Sequence, residues 1–353
     1  MISAKRVQMQ LDRFLTLIKK NKYDGFLVTN YLDQFYLLNF MFNEAEAVLL
    51  VAKGRCVCFT RTLYVQPLRT MLKTVDVVGE DGDRLSCAVQ YLKKKGLRKV
   101  GFDTTRESYL SGKFLLQNGC KEAPGFVAQM RRQKDGSELK SLRASNRLAY
   151  QTYEYIKTRI KTGMTEVQVA AEMEWFMRRN GAVSSSFPTI VAFGENAANP
   201  HHVTGTRKLK KEDCVLIDFG CIYVGYCSDM TRSWWHGKKV PAEYQKIWKI
   251  VDKAHKAGVQ AVKPGITGQQ VDSVSRTIIE EAGYGEFFTH ATGHGVGIEI
   301  HEAPYNSQQC QDKLVEGNVV TVEPGIYVPG KYGVRLEDTV AVSRKGSVIL
   351  TRK

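Results

Sequence analysis

The 353-residue chain predicts an α+β fold in two parts: a smaller α/β domain over residues 1–125, then a pseudo-symmetric domain over 126–353. Three observations carry that expectation. The length suits two ordinary cores rather than one. A content of 43% hydrophobic and 25% charged residues is that of a globular chain. The third is an internal duplication. The pattern K-x-G-apolar-T-x-x-Q-V occurs at 161–169 (KTGMTEVQV) and again at 263–271 (KPGITGQQV). In both copies the threonine and the glutamine three residues later form a capping box, so each copy opens a helix.

The first domain reads as alternating helices and strands. MISAKRVQMQLDRFLTLIKK mixes charges with apolar residues at helical spacing, and it lacks the apolar core and cleavage site of a signal peptide. YDGFLVTN (23–30), AVLLVA (47–52) and RKVGFD (98–103) read as buried strands, and RLSCAVQYLKKKGL (84–97) as a helix. EAPGF at 122–126 marks the expected boundary, after which KDGSELKSLRASNRLAYQTYEYIK starts a long helix. No apolar run approaches the ~20 residues of a membrane span. Eight cysteines without a CxxC pair, two of them alternating in a strand at Cys56 and Cys58, fit reduced thiols in a cytoplasmic protein. The formal net charge is +15, but the basic runs at 93–95, 131–134 and 208–211 are scattered. No nucleic-acid-binding motif accompanies them, so a solvated basic surface is expected and no specific nucleic acid partner.

The duplication continues beyond its helices. FPTIVAFG (187–194) aligns with FTHATGHG (288–295), which places His201 opposite His301. LKKEDCVLIDFG (209–220) aligns with LVEGNVVTVEPG (314–325), and SDMT (228–231) with LEDT (336–339). Asp218 thus falls opposite Glu323, and Asp229 opposite Glu337. CVLIDFG and YCSDMTRSWW read as strands joined by a turn at 223–225, a hairpin that sets Asp218 across from Asp229. VVTVEPGIYV and YGVRLEDTVAV turn at PGK and bring Glu323 near Glu337 in the same way. Crowded carboxylates are costly unless a cation neutralises them. A single acid at a strand end is usually solvated, but equivalent acids in both repeats point to a shared site.

HATGHGVGIEIHEAP (290–304) holds three of the seven histidines, His290, His294 and His301, among glycines 293, 295 and 297. Those glycines suggest backbone held close to a bound group, a metal or a charged substrate. His294 adds a nitrogen ligand to the four acids, a donor set that suits two divalent ions. His202, His236 and His255 have no such support and read as structural or surface residues.

Taken together, IDFG, SDMTR, HATGHGVG, HEAP, TVEPGIY and GVRLEDT resemble the pita-bread metallopeptidases, in particular the Xaa-Pro aminopeptidase (aminopeptidase P) and proline dipeptidase family. The resemblance extends to YLLNF (36–40), which departs from that family's pattern at Leu38 and Asn39. It implies a creatinase-type N-terminal domain for specificity and assembly, a pita-bread catalytic domain, and a homodimer or larger homo-oligomer. It implies Asp218, Asp229, His294, Glu323 and Glu337 as ligands of two divalent ions. Manganese is favoured by the oxygen-rich set, with cobalt, iron or zinc also fitting. Glu323 would be the general base, His201 and His301 would flank the substrate and stabilise the tetrahedral intermediate, and His290 would line the pocket. Arg335, two residues before Glu337, would orient that carboxylate or a substrate carboxylate. The implied activity is release of the N-terminal residue from peptides with proline second. Proline dipeptidase is the alternative, and a non-catalytic peptide- or nucleic-acid-binding relative is the alternative of another class.

Overall fold

Apolar side chains at positions 7, 11, 14 and 18 share one face of a helix, and the chain forms it over Ala4–Lys20, burying Val7, Leu11, Phe14 and Ile18. The computed structural model describes residues 4–52 and 54–352 and divides into two units, Met1–Arg131 and Arg132–Lys353. In the first, six strands lie in the spatial order Asp76–Gly79, Arg55–Thr60, Ala47–Ala52, Gly25–Val28, Val100–Asp103, Lys121–Ala123. Ala47–Ala52 runs antiparallel to both neighbours, and the remaining pairings are parallel. Every residue of Ala47–Ala52 is buried, as expected of a strand covered on both faces. Leu27, Leu50 and Phe102 pack with Val89 and Leu92 of the helix Arg84–Lys94 and with Leu115 of Tyr109–Gln117. On the other face Phe26 meets the rings of Phe14 and Phe126, each at 5.4 Å. Phe126 therefore anchors the helix Phe126–Arg132 to this unit, which runs past the Gly125 expected as its end.

The second unit carries the duplication in its backbone. Thr165 caps Glu166–Arg179 and Thr267 caps Gly268–Glu281, each with its glutamine three residues on completing a capping box. Gly163 and Gly265 both adopt positive φ and donate to Leu209 and Leu314, at 2.8 Å in each case. Thr165 pairs with Lys208 and Thr267 with Lys313 through matching isolated bridges. Ahead of these helices lie Gly136–Lys157 and Ala242–Ala261.

In the first half the helices cover a sheet of Ile190–Phe193, Asp213–Phe219 and Met230–His236. Val169, Met173 and Met177 pack there on Val215, Ile217 and Phe219. In the second half Val259, Val262 and Val271 pack on Val320, Val322, Val340 and Val342. The eight cysteines form no disulfide, and burial pushes the Cys58 and Cys214 thiols up to about 12. No helix of the described residues is long and apolar enough to cross a membrane.

Below the strand Asp338–Ser343 lies His255, 6% exposed, with Nε2 3.4 Å from Asp338 Oδ2. Burial lowers its pKa to about 4, against the opposing pull of Asp338. The folded chain therefore keeps His255 neutral at a pH where the unfolded chain protonates it. The stability this gives is fully present above the unfolded value near 6.5 and is lost as pH falls from there towards about 4. Chemical denaturation of wild type and His255→Gln should show the difference between them moving by about 2–3 kcal/mol in favour of the variant between about pH 7.5 and about pH 4.5. A difference that stays constant across that range would show that His255 does not titrate on unfolding.

Candidate functional site

Val224 and Gly225, both at positive φ, make the two-residue turn between Cys221–Tyr223 and Tyr226–Cys227. The same register continues into Asp213–Phe219 and Met230–His236, where Asp218 faces Thr231. Asp229 lies just before the second strand, so the two aspartates are offset rather than directly opposed as the hairpin pattern had suggested. In the second half the turn at Pro329–Lys331 joins Gly325–Val328 to Tyr332–Arg335, and beyond it Val322 pairs with Asp338. That register sets Glu323 alongside Glu337.

All the candidate residues except Glu337 line one cavity of about 740 Å³. Glu337 is 1% exposed, and one donor atom from each of Asp229, His294 and Glu337 lies within 4.8 Å of the others. His294 is held by its own strand: Nδ1 lies 3.1 Å from the Gly295 carbonyl, which can only accept, so Nδ1 carries the proton. Its Nε2 faces acids, 3.4 Å from Asp229 Oδ2 and 3.3 Å from Glu323 Oε1. The Thr321 hydroxyl accepts from the His294 backbone N–H and donates to Glu323 Oε1, both at 3.0 Å.

Arg335 is buried and fully engaged. It donates to Asp218 Oδ2 at 2.6 Å, to the Tyr327 hydroxyl at 2.7 Å and to the Thr231 hydroxyl at 3.1 Å. The sequence left Arg335 to orient Glu337 or a substrate carboxylate; the guanidinium instead reaches Asp218 in the neighbouring sheet and touches Glu337 only through Thr231. The Thr231 hydroxyl donates to Glu337 Oε2 at 2.7 Å. His290 gives Nδ1–H to the Ala291 carbonyl and takes the Tyr327 hydroxyl proton on Nε2, both at 2.8 Å. With both nitrogens engaged, it forms wall rather than donor.

Tyr327, Thr231 and Thr321 were not singled out from the sequence. The available signal for Tyr327 was Gly325, where a Cβ would collide with the Tyr327 hydroxyl. Glycines 293 and 295 also have a different reason from the one expected. A Cβ at Gly293 would strike the Thr321 carbonyl and one at Gly295 the Glu302 carbonyl, so these glycines admit neighbouring strands rather than a metal.

His201 and His301 are both exposed at the cavity, and the His301 ring stands edge-on to His294 at a centroid distance of 4.3 Å. Among the other histidines, His202 is bound to Glu166 at 2.8 Å and His236 lies 3.0 Å from the Thr162 hydroxyl.

The electrostatics show four carboxylates that cannot all ionise unaided. Burial raises Asp218, and it raises Asp229 and Glu337 strongly, with neighbouring carboxylates adding to the rise. Burial alone would raise Glu323 too, but its hydrogen bond and charge contact with His294 hold it at about 2. Asp218 Oδ1 and Glu337 Oε1 are buried without any hydrogen-bond partner. A buried, under-satisfied acid cluster around the Nε2 of one imidazole is a donor set that divalent cations complete once that nitrogen gives up its proton, and the residues present fit such ions.

Two family descriptions match the chain: Creatinase/Prolidase N-terminal domain over residues 10–132 and Metallopeptidase family M24 over residues 140–344. "Uncharacterized peptidase YqhT" of Bacillus subtilis is 33% identical over 348 residues, covering 97% of this chain and 98% of that protein. Among solved structures, the Xaa-Pro dipeptidase from Bacillus anthracis superposes with a TM-score of 0.93 at 35% identity, covering 98% of both chains. The X-Pro aminopeptidase from Thermotoga maritima superposes with a TM-score of 0.89 at 31% identity, covering 97% of this chain and 98% of that one. Fold, acid cluster and matched sequence agree: the chain belongs to metallopeptidase family M24, with a creatinase/prolidase-type N-terminal domain ahead of its pita-bread domain.

Proposed function

We propose that this metallopeptidase hydrolyses the peptide bond that precedes a proline in second position, using two divalent ions held by Asp218, Asp229, His294, Glu323 and Glu337. The observation that carries the reading is the buried acid cluster itself, with the unpartnered oxygens of Asp218 and Glu337 and with His294 Nε2 within 3.4 Å of both Asp229 and Glu323. Manganese is the expected ion, since four carboxylates and one imidazole make an oxygen-rich set, and cobalt, iron or zinc would also fit. Bound there, the ions would polarise the scissile carbonyl and lower the pKa of the attacking water towards about 7.

The protein groups do the rest. Glu323 lies at the cavity with Oε1 held by Thr321, so a proton taken from the attacking water can pass to the leaving nitrogen. His201 and His301 stand where they can donate to the oxyanion. A proline nitrogen brings no hydrogen to the bond, and recognition falls to the ring. Phe187, Pro188, Ile190, Val203 and Ile300 supply an apolar wall for it.

Peptide length divides two readings. Arg335 is the one lysine or arginine among the described residues lining the cavity, and Asp218 engages it. A free substrate carboxylate after proline thus finds no uncommitted cation there, which favours an aminopeptidase open to longer peptides. The dipeptidase reading is favoured by the relative from Bacillus anthracis, whose title names it an Xaa-Pro dipeptidase. Initial rates on Xaa-Pro and Xaa-Pro-Xaa separate them. Faster tripeptide cleavage is expected, with little turnover when alanine replaces proline, and cleavage of dipeptides alone would assign the chain as a proline dipeptidase.

Two further outcomes test the centre. Exhaustive chelation should abolish hydrolysis and manganese or cobalt should restore it, with Asp229→Ala retaining fewer than two ions by elemental analysis. Undiminished turnover of metal-free protein would refute the proposal. Glu323→Gln keeps the shape but cannot accept a proton, so kcat should fall at least ~10²-fold with unchanged circular dichroism. A loss below about threefold would give the base role to another residue.

A further inference from the structure

The acid-bearing strands of the two repeats are tied to each other by a pair of threonines at equivalent positions. Thr231 follows Asp229 by two residues, as Thr339 follows Glu337, and both are 0% exposed. Each reaches across to the acid-bearing residue of the other half. Thr231 gives its hydroxyl proton to Glu337 Oε2 at 2.7 Å, and Thr339 gives its proton to the Asp229 carbonyl oxygen at 2.9 Å. A backbone bond from Glu337 N–H to the Thr231 carbonyl, at 3.2 Å, lies between them.

The Thr231 hydroxyl sits between a fixed donor and an acid. A threonine hydroxyl has one proton, and Arg335 Nε already donates to its oxygen at 3.1 Å. Its proton goes to Glu337 when that carboxylate is ionised, the form in which it would hold a cation. With Oε2 occupied in this way, Oε1 is the Glu337 oxygen left without a partner. The arginine that donates to Thr231 also holds Asp218 Oδ2, and Asp218 faces Thr231 across the strand pair. One buried hydroxyl thus links an acid of the first repeat to an acid of the second.

We propose that Thr231 and Thr339 are positioning residues, a reciprocal clasp across the duplication that fixes which oxygen of Glu337 faces the ions and how far Glu337 stands from Asp229. The inference rests on the metal-ligand reading above. Partners that orient ligating carboxylates commonly contribute roughly 10–100-fold in metal affinity. Valine matches threonine in shape, so Thr231→Val removes the hydroxyl and leaves the packing, whereas Thr231→Ser keeps the hydroxyl.

The test is titration of metal-free protein with Co2+, read by its visible absorption bands and by equilibrium dialysis, with no substrate present. Wild type should take up two equivalents. Thr231→Val should weaken uptake of at least one ion roughly 10–100-fold and change the band pattern, and Thr231→Ser should return both to within about threefold of wild type. Thr339→Val, which leaves every carboxylate bond in place, should weaken uptake in the same direction and carries the test if Thr231→Val does not fold. Wild-type affinity and spectrum in the folded valine variants would overturn the clasp, as would a serine variant no better than the valine one. A wild type that takes up no ion would overturn the metal-site reading itself and this inference with it.

Discussion

The organisation of the second unit turns on the burial of four carboxylates in one place. Like charges that close, taken out of water, oppose folding unless each is matched, and the chain matches them unequally. Asp218 receives the Arg335 guanidinium and Glu323 receives Thr321 and His294, while Asp229 and Glu337 are pushed strongly towards their neutral forms. A folded scaffold stiff enough to hold this arrangement is required before any ion arrives. The first-repeat strand Asp213–Phe219 supplies part of that stiffness, packing one face on helix Glu166–Arg179 of its own repeat and the other on helix Ala242–Ala261 and on Ile326 and Val334 of the second.

Duplication explains how such a scaffold arises. A helix opened by a capping box, a glycine turn tied to a following leucine, and an acid-bearing hairpin occur twice, and each half presents two carboxylates at its inner edge. Neither half alone holds the set. The imidazole comes from the second repeat, and the arginine that pairs with the first-repeat Asp218 comes from the second as well. The site is thus a product of the interface between repeats, which is also where the threonine pair lies.

The cavity beside the acids has a mixed character that suits a peptide rather than a fully charged ligand. One side is carboxylate and imidazole, and the other is phenylalanine, proline, isoleucine and valine. His290 and Tyr327 close part of the polar side by satisfying one another, which leaves His201 and His301 as its exposed imidazoles.

Much of this was determined by the sequence alone. The two capping boxes, the long helix after Asp135, the strands at 47–52 and 100–103 and the two hairpins follow from local patterns, because capping, alternation and turn chemistry act over a few residues. The candidate acids stood out because repetition singled them out, and His294 because it lies in a stretch dense in histidine and glycine. Tertiary structure decided what depends on register and on distant partners. It offset Asp229 from Asp218, sent Arg335 to Asp218 rather than Glu337, and packed Phe126 against Phe26 so that the first unit extends past Gly125. It also gave glycines 293 and 295 their role against neighbouring strands. Thr231 and Tyr327 could not be read from spacing, since a hydroxyl bond spanning 106 residues has no local pattern. Local chemistry sets which side chains an element presents, and only the packing of one repeat on the other sets which of them meet.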